Sequence, residues 1–432
     1  MTALPGNRWD LLDGVQPAEP PTVSVIVAHY DQPEQLARTL HALSRQDHPA
    51  DRTEILVVDD GSPTTPVVPA HVRLLRQDDR GFRLAAARNL GAAAATGDVL
   101  VFLDADTAPE PSYLRELTRL PALAPDCLTV GRRRHAELSG TPIHDPVEQL
   151  GPARELPEPA WLIDAYRRSR NLLDADDRSY RHVIGAVTAC HRTLFDAAGG
   201  FDESFTSYGG EDWEWTYRAW LAGAVLAHVP TAVAWHDGPE WSDRGDAASL
   251  TAKNAETLLL TDLIPVPGSR GRGLPSAHAD TVVLPPPGVS PAQRFVSLDS
   301  VLATLPGAVA GAEGRCARDG LTDRGPRVDR VLGGVDRVFD RVRIVVQLDR
   351  PLRVAGDVVR EAVRRLDAEQ LGELTLLDPE GSRLLRIRAT RAEARERRWG
   401  RDDLFPRADV VTDQVRALTE EPDLEAYLGG WG

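Results

Sequence analysis

The sequence predicts an α/β layered fold on a mainly parallel sheet, followed by a smaller C-terminal region. Three observations predict it. The apolar runs VSVIVA (23–28), EILVV (54–58) and VLVFL (99–103) read as buried strands, rich in β-branched residues. Between them lie helical patterns, at 32–44 with Leu36, Leu40 and Leu43 on one face, and at 84–95 in an alanine-rich stretch. The joints are short, and strand–helix–strand units joined in this way form parallel strands with right-handed crossovers.

Each later element follows from the same patterning. Residues 111–182 are rich in Arg and Asp and predict irregular and helical cover over the sheet. An apolar strand is predicted at 183–189, a short helix at 193–198 ending in the turn Gly199-Gly200, and a longer helix at 211–221. Short strands are predicted at 225–229 and 232–235. Proline and glycine accumulate over 265–291, which predicts a linker. Residues 1–21, polar and proline-rich, are read as an N-terminal tail, 22–264 as the main domain and 292–432 as an accessory domain. Within the latter, 342–366 and 373–382 loosely mirror the first strand, helix and second strand. A degenerate second copy and a helical accessory domain are both open readings, and no strand followed by an acid pair comes after it.

A net charge of −15 argues against nucleic acid and anionic membrane as partners. Lys253 is the only lysine. Cys127, Cys190 and Cys316 are far apart and lack metal-ligand spacing, which fits unpaired thiols in a reducing compartment. MTALPGNRWD carries neither a charged n-region nor an apolar h-region, and no apolar run approaches the length that crosses a bilayer. The expectation is a cytoplasmic chain.

The chemistry starts where strand 99–103 runs into Asp104-Ala105-Asp106. Two like charges so close need a cation between them. In an extended chain residues i and i+2 face one side, and paired carboxylates suit Mg²⁺ or Mn²⁺ that shares its remaining positions with phosphates. A solvated turn is the bland alternative. Ligands in such sheets gather at the carboxyl ends of strands, where Asp59-Asp60 and Asp104-Asp106 both lie. Gly209-Gly210-Glu211-Asp212 places acids at a helix start, which the helix dipole favours in any case, but a carboxylate there can also act as a general base. His236 follows a short strand. Arg80, Arg83 and Arg88 surround a helix N-terminus, fit for phosphate or for neighbouring acids. Trp213, Trp215, Trp220, Trp235 and Trp241 crowd together, as core or as faces for sugar rings.

SVIVAHYD, VVDDGS, GFRLAAARNLG, GDVLVFLDADTAP, GGFDESFTSYGGEDWEWTYRAWLAG and AVAWHDGP occur in one order between Val23 and Trp241. This half of the chain resembles the family 2 glycosyltransferases with the GT-A fold. GFRLAAARNLG, SYGGEDWEWTYR and AWHDGP are most similar to bacterial chondroitin/heparosan-type polymerases, and GGED is also similar to the β-1,4-galactosyltransferases.

The resemblance implies a metal-dependent inverting transfer from a nucleotide sugar, expected to be a UDP-sugar, to an acceptor hydroxyl. It implies that Asp60, with Asp59, accepts from the uracil imide, that Asp104 approaches the ribose, and that Asp106 and His236 bind Mn²⁺ or Mg²⁺. It further implies that Asp212 is the base, that Glu211 holds a sugar, that Arg83, Arg88 and Asn89 line the donor pocket, and that Tyr208 packs on the sugar. Ala28 and His29 depart from the small hydroxyl residues usual after the first strand, donor-binding lysines are absent, and no second complete catalytic domain is present. A single transfer is therefore expected rather than alternating polymerisation. The acceptor is open among saccharide, lipid-linked, peptide and natural-product classes; region 292–432 could select it or form a homodimer.

Two other readings compete. A nucleotidyltransferase shares the strand–acid–metal layout but needs a glycine-rich, lysine-containing loop after the first strand, and AHYDQPEQ has none. A catalytically inactive nucleotide-sugar-binding module would not need the acids at 104, 106 and 212 together with His236.

Overall fold

The computed structural model describes residues 1–207, 209–239, 247–271, 274, 277–311 and 341–429, and the chain divides into two units, 1–220 with 224–258 and 221–223 with 259–432. The first unit is a mixed sheet in the order β3-β2-β1-β4-β8-β6-β9-β5. Its strands are β1 (Val23–His29), β2 (Thr53–Asp59), β3 (Arg73–Arg76), β4 (Val99–Asp104), β5 (Thr107–Pro109), β6 (Cys127–Ala136), β7 (Glu155–Leu156), β8 (Val187–His191) and β9 (Val225–Asp237). The expected parallel half is present: β1 pairs in parallel with β2 and with β4, and β2 with β3. The other half turns over, because β8 runs antiparallel to both β4 and β6.

Register decides where the acids lie. His29 pairs with Asp59 across β1 and β2, and Ala28 with Asp104 across β1 and β4. The carboxyl ends of three strands therefore stop at one level. Helices α1 (Pro33–Ser44) and α2 (Leu84–Ala94) are the crossovers. Leu36, Leu40 and Leu43 of α1 are buried in the core with Ile26, Val57 and Phe102, so the 3.6-residue spacing does what it predicted. Gly91 of α2 lets that helix lie close on the sheet: a Cβ there would meet Ile26 Cγ2 at 2.4 Å.

Several expectations change. Residues 1–21 are no tail. Leu4 and Leu12 are buried with Leu120, Cys127 and Val225, and the Asn7 amide donates to the carbonyls of Leu172 (2.6 Å) and Leu226 (2.9 Å). Irregular cover over 111–182 gives way to α3 (Tyr113–Leu123), the ten-residue strand β6, α4 (Val147–Ala153) and α5 (Ala160–Arg168). The two strands expected at 225–235 are one, β9, paired in parallel with β6 around a bulge at Gly131/Arg132. The strand expected at 183–189 begins at Val187, after α5 and a loop; α6 (Arg192–Ala198), α7 (Glu211–Leu221) and α8 (Ala247–Leu263) follow.

The second unit carries a six-stranded sheet in the order β11-β10-β12-β15-β14-β16, from β10 (Thr281–Leu284), β11 (Val309–Ala310), β12 (Ile344–Leu348), β14 (Glu373–Leu377), β15 (Arg383–Ala389) and β16 (Arg407–Val411). A short pair, β13 (Leu352–Val354) and β17 (Val415–Ala417), stands apart. The unit is thus neither helical nor a copy of the first. In the first unit β1 and β2 are neighbours, whereas β12 and β14 are separated by β15, antiparallel to both. The buried strand β10 falls inside the expected linker. Cys127 and Cys190 are buried, neither in a disulfide, and Cys316 lies outside the described residues.

Candidate active site

A cavity of about 410 Å³ opens at the carboxyl ends of β1, β2 and β4, lined among others by His29, Tyr30, Asp60, Phe82, Asp104 and Asp106. Asp104 is the last residue of β4 and the chain turns immediately after it. The two carboxylates are therefore not an extended i, i+2 pair, and each has its own partner. Asp104 accepts from Arg88 Nη2 at 2.9 Å. Asp106 Oδ2 lies 3.6 Å from His236 Nε2 and accepts from Gln32 Nε2 at 3.3 Å.

The contact between residues 106 and 236, distant in sequence, has a backbone cause. β5 pairs antiparallel with β9, with Thr107 opposite His236, and Asp237 N donates to Asp106 O at 2.9 Å. His236 Nδ1 lies 3.1 Å from the Gly238 carbonyl, which can only accept, so Nδ1 carries the proton and the Nε2 edge faces Asp106. His135 meets the same ring edge-on at 5.0 Å between centroids. Burial alone would raise the Asp106 carboxyl, but the neighbouring His236 ring holds it below its ordinary value; His236 is raised in turn, against its own burial. An oxygen and an imidazole nitrogen, each about one-fifth exposed, fit a divalent cation that takes its other ligands from a diphosphate. Among the described residues no group of three or more His, Cys, Asp or Glu side chains could hold a metal by itself.

Asp59 and Asp60 separate. Side chains alternate along a strand, and Asp59 is wholly buried while Asp60 lines the cavity. Asp59 lies 2.9 Å from His29 Nδ1 and 3.3 Å from Arg76, and accepts from the Ser62 hydroxyl and backbone N–H. It ties the loops after β1 and β2 together and does not reach the cavity, so its expected contact with the donor is corrected to a positioning one. Asp60 accepts from Arg83 N at 2.8 Å and from Gln77 Nε2 at 2.5 Å. Arg83 thus contributes its backbone, while its guanidinium turns to Glu203 at 3.5 Å. Asn89 is also redirected: its amide exchanges hydrogen bonds with Phe201 backbone and donates to Glu203. Tyr208 lies outside the described residues.

Arg88 is 2% exposed and spans two places in the sequence. Nη2 donates to Asp104 and Nη1 to Glu211 Oε1, both at 2.9 Å. It does not line the cavity wall; it joins the end of β4 to the start of α7. The register of α7 is set by Trp215, fully buried against Phe102, Phe195 and Phe201. Trp220 and Trp235 are core as well, which settles most of the tryptophan cluster as packing; Trp213 is half-buried and Trp241 lies outside the described residues.

Asp212 accepts from Gly185 N at 2.9 Å and from Trp213 N at 2.8 Å, so both carboxylate oxygens are aimed by backbone. Burial raises its carboxyl above the ordinary value. Glu211 is pushed up to about 7, by burial first and then by the charge of Asp212, with Arg88 opposing. A raised carboxyl stabilises the fold fully below its unfolded value, near 4.5, and that stability is lost as pH rises through about 7. Thermal melting of wild type and Glu211→Gln at about pH 5 and about pH 8 checks this. The variant is expected to lose less melting temperature over the interval, and an equal loss contradicts the assignment.

Sequence reasoning missed Gln32, Gln77 and Gly185. Each acts through hydrogen bonds created by the fold, and no spacing in the chain signals them.

Residues 24–193 match glycosyl transferase family 2, and residues 175–234 match the family described as the N-terminal domain of galactosyltransferase. The chain is 29% identical over 266 residues to a chondroitin synthase of Escherichia coli, covering 56% of this chain and 38% of that protein. It is 33% identical over 228 residues to a validoxylamine A glucosyltransferase of Streptomyces hygroscopicus subsp. jinggangensis (strain 5008), covering 48% and 53%. The chain thus spans only 38% and 53% of the lengths of these two relatives. A crystal structure of GalNAc-T7 with UDP, GalNAc and Mn²⁺ superimposes with a TM-score of 0.41 at 21% identity, over 57% of this chain and 49% of that one, too loosely to carry an inference. The family match runs from β1 through β8, over the strand ends at Asp59 and Asp104, and over residues 24–193 the first unit is a glycosyltransferase family 2 domain by that match.

Proposed function

We propose that the first unit transfers a sugar from a UDP-sugar to an acceptor hydroxyl in one inverting displacement. The observation that carries this reading is Arg88, whose one guanidinium holds Asp104 at the cavity and Glu211 beside Asp212. It brings the donor acids and the candidate base to one place.

Asp60 presents lone pairs to the imide of the base, and Tyr30 and Phe82, both partly exposed, wall the cavity around it. Asp104 faces the ribose. Asp106 and His236 would hold a divalent cation, which when bound supplies Lewis acidity to the departing diphosphate. Asp212 takes the proton from the acceptor hydroxyl as that oxygen bonds the anomeric carbon and the bond to the diphosphate breaks. The products are the glycoside, UDP and a protonated Asp212.

An α-linked donor should therefore give a β-product. Proton NMR of the sugar first released from an α-linked UDP-sugar, to an acceptor or to water, is expected to show the β-anomer. The α-anomer appearing first would contradict a single displacement. Among the described residues no helix is long and apolar enough to cross a membrane.

A further inference from the structure

Glu256, on α8, stands beside the acids of α7. Its carboxylate lies against the backbone of Gly209: a Cβ at 209 would come within 2.7 Å of Glu256 Oε2 and 2.9 Å of Cδ. Gly209 has φ +95°, and the missing side chain leaves room for a second element to bring an acid to the start of α7. Burial raises the Glu256 carboxyl, the charge of Asp212 raises it further, and Lys253 one turn away opposes.

The charges at this end of the site do not balance. Asp104 and Glu211 share the guanidinium of Arg88. Among the described residues Asp212 has only backbone N–H donors, from Gly185 and Trp213. The second oxygen of Glu211, a residue 5% exposed and close enough to Asp212 to feel its charge, is buried without a hydrogen-bond partner. Among the described residues nothing donates a hydrogen bond to Glu256. Among the described residues these four carboxylates face the Arg88 guanidinium and the Lys253 ammonium, and desolvated charge in excess of its counter-charge is costly. An acidic acceptor would worsen this imbalance and a cationic one would relieve it.

We propose that the acceptor is a hydroxylated amine whose ammonium is received by Glu256, so that Glu256 selects cationic acceptors over neutral and acidic ones. This rests on the reading of Asp212 as the base, since it places the acceptor at the start of α7. Three methyl β-D-glucosides that differ only at C6, as aminomethyl, hydroxymethyl and carboxylate, carry charges of about +1, 0 and −1 at neutral pH. Each is titrated into the full chain with UDP and Mn²⁺ present, and each is offered as acceptor for a UDP-sugar.

The 6-amino sugar is expected to bind about tenfold or more tightly than the parent, as a charge-assisted hydrogen bond allows, and the uronide more weakly than either. Glu256→Gln is expected to abolish that order, with UDP affinity confirming that the variant is folded. Equal binding of the three sugars, binding of none, tighter binding of the uronide, or an unchanged order in Glu256→Gln would each overturn the proposal. Release of UDP to water, followed in the same samples, reports separately on whether the unit is a UDP-sugar transferase.

Discussion

Asp212→Asn lowers transfer about 10²–10⁴-fold and leaves the affinity for UDP at its wild-type value. The first figure is what a positioned general base contributes. Asparagine keeps the size of the side chain and one acceptor oxygen, so the backbone donors at Gly185 and Trp213 lose at most one partner. What it cannot do is take a proton. Burial raises the Asp212 carboxyl, which makes it a stronger base than an exposed aspartate and enlarges the loss. Initial rates of UDP release with a saturating acceptor, paired with a UDP titration, check both halves. A rate within tenfold of wild type would remove Asp212 from the base role.

Much of this site was legible because strand ends and helix starts are where short-range patterns are strongest. VLVFLD ends at Asp104 as the apolar run does, and α7 spans Glu211–Leu221 as its spacing predicts. The failures have physical causes. β6 was missed because Arg132, Arg133 and Arg134 sit in its second half and break the apolar pattern of a buried strand, so the segment read as irregular and helical. In the fold Arg132 and Arg134 pair with Glu158 and Glu155, and the Arg134 guanidinium lies 4.2 Å from the centre of the Trp235 ring. Such partners lie far along the chain or depend on pairing, and no window of sequence contains the information.

Asp59 and Arg88 teach a related lesson. Both are charged residues inside matching motifs, and neither lines the donor cavity. Asp59, the last residue of β2, is wholly buried and held by His29 and Ser62. Arg88 faces inward from α2 and is spent on two carboxylates, one of them 123 residues away. The motif preserved their place, and the fold assigned them to holding the site together. Asn89, next to Arg88 on the helix, is a hinge pin for the loop at Phe201.

The second large effect belongs to the pair at Asp106 and His236. Asp106→Ala removes the only carboxylate within 4.0 Å of the His236 ring among the described residues, and with it the one anionic ligand of the proposed cation. Charge stabilisation of this kind is worth several kcal/mol, so the metal-dependent part of UDP binding should fall about 10²–10³-fold. The most direct measurement is calorimetric titration of UDP into wild type and Asp106→Ala, each with Mn²⁺ and with chelator. Wild type is expected to bind UDP far more tightly with Mn²⁺, and the variant to bind it weakly and equally in both. Tight, manganese-enhanced binding of UDP by Asp106→Ala would contradict the account at its centre.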